Sequence, residues 1–153
     1  MKTILIIING IVLPYHVIDY AIRMAKKNSC EILALFLKGT HEPSKGYGYP
    51  SDLPTTERWV SDKEAVRDDE EIIAENMKLV KQMIEDEKIS FRSILKTNAS
   101  IDEIKRISAS VNLIVVDEAF DKTSLLGEDK ILLKDLRNKI STRIDVIAAK
   151  KED

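Results

Sequence analysis

Two histidines invite a chemical reading. His16 lies two residues after Pro14, and His41 stands beside Glu42 in a polar stretch. A pair of imidazoles can hold a transition metal or pass a proton near neutral pH. No third ligand follows at a metal-binding spacing, and exposed or capping histidines account for both. Asp117, Glu118 and Asp121 form the second cluster. Neighbouring carboxylates can do acid–base work or hold a divalent cation, although a solvated acidic loop is the simpler account. Cys30 precedes an apolar run and reads as a small buried hydrophobe, because neither a base nor a helix N-terminus accompanies it. The run Asp68-Asp69-Glu70-Glu71 falls in the first turns of a helical pattern, where negative charge complements the helix dipole. No G-x-S-x-G, H-E-x-x-H, phosphate-binding loop or triad-like set occurs, so the expectation is a protein that is not an enzyme and has no cofactor or metal.

The elements that must position these residues follow from periodicity. Short apolar runs alternate with amphipathic segments, the pattern of a parallel sheet with crossover helices. Thr3–Ile8 is a strand apolar enough to be covered on both faces. Pro14 suits the first turn of a helix whose buried stripe is Ile18, Ala21, Ile22 and Ala25, with Asn28 as its C-terminal cap. Glu31–Leu37 is the second strand. Residues 39–60, with three prolines and Tyr47 and Tyr49, read as a long loop. Ser61 and Glu64 form a capping box for a second helix with Ile73, Met77, Val80 and Ile84 inward.

Further along, Ile89–Leu95 is the third strand. Ser100 and Glu103 cap a third helix with Ile101, Ile104, Ile107 and Val111 inward. Asn112–Val116 is the fourth strand, Ile131–Ser141 the fourth helix and Arg143–Ala149 the fifth strand. Right-handed crossovers make this an α/β fold, a three-layer α/β/α sandwich on a five-stranded parallel sheet. Ligands in such sheets bind outside the carboxyl ends of the strands. That rule places a candidate crevice at Asn9, Gly10, Lys38 and Asp117, with Lys130 at the start of the fourth helix able to meet an anion.

A chain of 153 residues, 44% hydrophobic and 33% charged, fits one globular domain spanning 1–153. The net charge of -2 leaves no footprint for nucleic acid or an anionic membrane. A single cysteine excludes an internal disulfide framework and favours a reducing compartment. The opening Ile4–Ile8 run is short and no small-residue cleavage site follows, so it reads as a buried strand in a cytoplasmic protein.

Lys2-Thr3-Ile4-Leu5-Ile6, followed by a helix from about residue 14, resembles the opening of universal stress proteins. Asn112-Leu113-Ile114-Val115-Val116 is similar to that family's fourth strand, and the likeness in element order and length covers the whole chain. The resemblance implies a Rossmann-like sheet of strand order 3-2-1-4-5. It also implies a homodimer joined through the fifth strand, here Ile144, Val146, Ile147 and Ala148. Nucleotide-binding members of the family carry an acid after the first strand and a G-x2-G-x9-G-S/T/N pattern after the fourth. Those glycines let backbone N–H groups approach phosphates. On this chain the three glycine positions fall on Asp117, Phe120 and Lys130, the hydroxyl position on Ile131, and the acid on Asn9. None matches. A response-regulator receiver shares the element order, but its acids are missing at Ile8-Asn9-Gly10 and at Lys96-Thr97.

The expectation is therefore a regulatory or stress-response protein that works through protein contacts with an unknown partner and does not bind ATP by the family motif. The alternative is a sensor of a small ligand or nucleotide in the same crevice.

Overall fold

The computed structural model describes residues 2–9, 12–38, 55–120 and 132–148, with backbone alone at residue 9 and over 55–69. Among the described residues nine elements alternate: β1 (Lys2–Asn9), α1 (Tyr15–Asn28), β2 (Cys30–Lys38), α2 (Thr55–Asp86), β3 (Phe91–Thr97), α3 (Ile101–Ser108), β4 (Leu113–Asp117), α4 (Leu133–Lys139) and β5 (Ile144–Ile147). The strands form one sheet in the order β3-β2-β1-β4-β5, every pair parallel. This is the order expected from the sequence.

β1 is central because it can be nothing else: Ile4 to Ile8 are each at most 2% exposed. Side chains alternate across a strand, so a continuous aliphatic run feeds two cores at once. Ile4, Ile6 and Ile8, with Ile32, Ala34 and Phe36 of β2, pack under Val17, Ile18 and Ala21 of α1 and Val80 and Ile84 of α2. Leu5 and Ile7, with Leu35, Ile114 and Val116, pack under Ile104 of α3 and Leu136 of α4. Each fully buried aliphatic side chain contributes about 1.5–3 kcal/mol. These three layers thus account for most of the fold's stabilisation.

Local signals explain several ends. The Ser100 hydroxyl accepts from Glu103 N–H at 3.2 Å, and the Glu103 carboxylate accepts from Ser100 N–H, a capping box where one was expected. α4 uses a different device, with Asp135 accepting from Leu132 N–H at 3.1 Å.

Several expectations need correction. α2 begins at Thr55, so residues 55–60 are helical and the loop proposed for 39–60 is shorter at that end. Ser61 and Glu64 therefore lie inside the helix; the spacing of a capping box also occurs in ordinary helical turns, where it caps nothing. α1 is capped by Ser29 rather than Asn28: Ser29 takes the left-handed conformation with φ 55°, and its N–H returns to Ala25 C=O. Asn28 instead closes back within the helix, donating from its side chain to Met24 C=O at 3.1 Å. Cys30 is the first residue of β2 and only half-buried, because the amino end of the sheet is less covered than its middle. Val111, expected on the inward face of α3, is buried but lies three residues past the end of that helix at Ser108, and the other strand and helix ends differ from expectation by a residue or two.

The amino edge of the sheet carries a polar clamp. Thr3 donates its hydroxyl to Glu31 at 2.8 Å, Arg92 donates to the same carboxylate at 2.9 Å, and Thr3 N–H donates to Asn112 at 3.0 Å. β1, β2, β3 and the residue that leads into β4 are joined this way. The Thr3 hydroxyl foremost, and then Arg92, hold the Glu31 carboxyl below the usual carboxylate range. A carboxylate with a lowered folded-state pKa adds stability above its unfolded value, near 4.3 for an ordinary glutamate, and that stability is lost as pH falls through the folded value. Glu31→Gln should therefore lower stability at neutral pH by about 0.5–1 kcal/mol, a modest value because Arg92 is exposed to solvent. Urea midpoints of the two proteins should converge on acidification. A gap undiminished at about pH 2.5 would show that the charge plays no part.

On the opposite edge, Tyr20 of α1 donates its hydroxyl to Asp145 of β5 at 2.6 Å, and Arg143 donates to both oxygens of that carboxylate at 3.0 and 3.3 Å. The hydrogen bond to Asp145 raises the Tyr20 phenol above its ordinary range. α1 is thereby fastened to the last strand.

Candidate functional site

The strand order reverses between β1 and β4, whose connections leave toward opposite edges of the sheet. Open α/β sheets form their crevice at that point. β4 delivers Asp117 there as its last residue, and α1 delivers His16 in its first turn. His16 Nε2 lies 2.9 Å from Asp117 Oδ1. A carboxylate only accepts, so His16 Nε2 is the donor in this contact. The two side chains are 25% and 17% exposed, sheltered but open to water.

The same Asp117 oxygen accepts the N–H of Ala119 at 3.2 Å, and the Asp117 carbonyl accepts the N–H of Phe120 at 3.0 Å. This tight turn sends the Phe120 side chain inward, where it is 1% exposed and joins Leu5, Ile7, Val116, Leu136 and Ile140. Glu118 points its N–H to Ile147 C=O at 2.9 Å and keeps its side chain in solvent.

Lys38 ends β2 on the far side of β1, and its side chain is 15% exposed. It forms an ion pair with Glu70 of α2 at 2.6 Å, and its carbonyl accepts Asn98 N–H at 2.8 Å. The Lys38 ammonium holds the Glu70 carboxyl below its usual range, chiefly through the hydrogen bond. Asn9 ends β1 at the same edge. Gly10, Lys130, His41, Glu42 and Asp121 lie outside the described residues.

The structure thus pairs His16 with Asp117, and it engages a carboxylate that the sequence placed in a solvated loop. The strand order brings them together: with β4 paired to β1, the first turn of α1 lies against the end of β4. Chemically, the couple fixes one imidazole with a carboxylate behind it. A metal centre would need more ligands, and among the described residues no group of three or more His, Cys, Asp and Glu side chains could hold a metal ion. Among the described residues no helix is long and apolar enough to cross a membrane.

No family model matches this chain, and no curated protein matches it. Solved structures do. It is similar over 95% of its length to universal stress protein UspA from Lactobacillus plantarum, with 97% of that chain covered, 12% identity and a TM-score of 0.64. The universal stress protein from Archaeoglobus fulgidus in complex with dAMP aligns at 13% identity and TM-score 0.59, covering 95% of this chain and 97% of that one. A universal stress protein family protein from Arabidopsis thaliana with AMP bound aligns at 12% identity and TM-score 0.61, covering 98% of this chain and 93% of that one. Likeness at these identities establishes architecture alone, and the architecture of this chain is the universal stress protein fold.

Proposed function

We propose that this chain is a regulatory, stress-response protein of the universal stress protein type that acts through protein contacts and does not bind ATP through the family's glycine route. The observation carrying this reading is the turn after β4. A carboxylate held by His16 stands where the first glycine is needed, and the buried Phe120 stands at the second. Negative charge repels phosphate, and a side chain packed into the core cannot make room for it without leaving a void.

Homodimerisation through β5 belongs to the same proposal. Ile144, Val146 and Ile147 are half-buried on an outer strand that pairs with β4, and Ala148 beyond them is exposed. An outer strand of this kind calls for cover, and a two-fold partner is the commonest one. A cytoplasmic location is proposed with it, from the single cysteine.

The second reading, a small-ligand or nucleotide sensor, is favoured by the dAMP and AMP complexes of two proteins of the same fold. Calorimetric titration with ATP and magnesium separates the two. No heat is expected up to millimolar ATP. Micromolar binding would overturn the first reading and make Asn9 and Lys38 the first residues to replace.

A further inference from the structure

The contact between His16 and Asp117 joins the first turn of α1 to the end of β4. Its acceptor is a carboxylate, and its donors are an imidazole at 2.9 Å and the Ala119 N–H at 3.2 Å. An imidazole N–H together with a backbone N–H is a donor set suited to an oxyanion, and the switch point of the sheet is where ligands of this fold class enter. Here the oxyanion is the chain's own. The other carboxylates held on neighbouring elements are engaged elsewhere: Asp145 accepts from Tyr20 and Arg143, and Glu70 accepts from Lys38.

We propose that Asp117 is a built-in competitor, an internal carboxylate that occupies the donors of His16 and Ala119 and so keeps phosphate-type oxyanions out of the crevice. A tethered group competes at an effective concentration of millimolar or more, so free phosphate at micromolar levels loses to it. Removing the carboxylate leaves both donors in place and their acceptor gone. The inference deepens the reading above and rests on its premise that the turn after β4 is closed to phosphate. It adds a second cause beside the bulk of Phe120: an autoinhibitory contact that occupies the donors the turn does have.

The test uses inorganic phosphate and the ring signals of the histidines, of which the chain has 2. The His16→Gln variant identifies the His16 signal. Phosphate is titrated at about pH 6, where an ordinary imidazole carries charge, with chloride holding the ionic strength constant. Asp117→Ala should show a saturable shift of the His16 signal, with affinity at least about tenfold above the unmodified protein. Adding His16→Gln to that variant should abolish the gain, read as loss of phosphate-dependent thermal stabilisation. Asp117→Val also removes the acceptor, suits a strand position and should move in the same direction, which covers a failure of the alanine variant to fold.

Equal phosphate responses in the unmodified and substituted proteins would overturn the inference, as would a gain that survives the loss of His16. The two readings fail separately. Heat from ATP with the unmodified protein speaks against the non-binding reading, whereas a flat response of the Asp117 variants speaks against the competitor.

Discussion

Replacing Phe120 by alanine should destabilise the protein by about 3–5 kcal/mol, the range for emptying a buried aromatic site. Phe120 is 1% exposed although it sits in the turn after β4, and it packs with Leu5 and Ile7 of the central strand and Leu136 of α4. The ring therefore closes the core at the floor of the crevice. Urea unfolding should show a lower midpoint with an unchanged slope, because the loss lies in packing and not in the surface exposed on unfolding. The same variant should give no heat with ATP, since the void it leaves is apolar and the Asp117 carboxylate stays beside it. A loss below about 1 kcal/mol would show that the ring is not part of the core. A gain of ATP binding would show that its bulk alone had kept the nucleotide out.

Ile84→Ala should cost about 2–5 kcal/mol, as large-to-small changes at closed sites do. Ile84 is fully buried under the last turns of α2, in one cluster with Ala34 and Phe36 of β2 and Ile89. Its carbonyl also accepts the N–H of Glu87 at 3.1 Å and of Ile89 at 3.4 Å as the chain leaves the helix. One residue thus anchors both the buried stripe and the exit of α2. Leu79, on the same helix but 44% exposed, supplies the internal control, and Leu79→Ala should stay within about 0.5 kcal/mol. If the two substitutions cost the same, α2 is not seated on the sheet by this face.

Much of the architecture was legible because burial on two faces writes itself into composition. Ile4 to Ile8 leave no polar face, so β1 had to be central, and Ile73, Val80 and Ile84 recur at helical spacing. The capping box at Ser100 was legible for the same local reason, since its partners are three residues apart. Where local signals competed, reading failed. Ser61 and Glu64 have capping spacing, yet the helix begins at Thr55, and a motif of two residues cannot report what precedes it. The cap at Ser29 was missed because a serine at φ 55° is a conformational outcome and not a compositional one.

The candidate site divides along the same line. That residues 117 and 120 are aspartate and phenylalanine is a property of the chain, and it argued against a glycine-lined phosphate site before any geometry was known. That Asp117 is clasped by His16, 101 positions away, is a property of the fold. Periodicity and capping act over a few residues, so they name elements and faces. A contact between the first turn of α1 and the end of β4 exists only once parallel pairing has set β4 against β1. The same holds for Lys38 with Glu70 and for Tyr20 with Asp145. Residue identity thus told which chemistry the crevice lacks, and the packing of one strand against another told which groups meet in it.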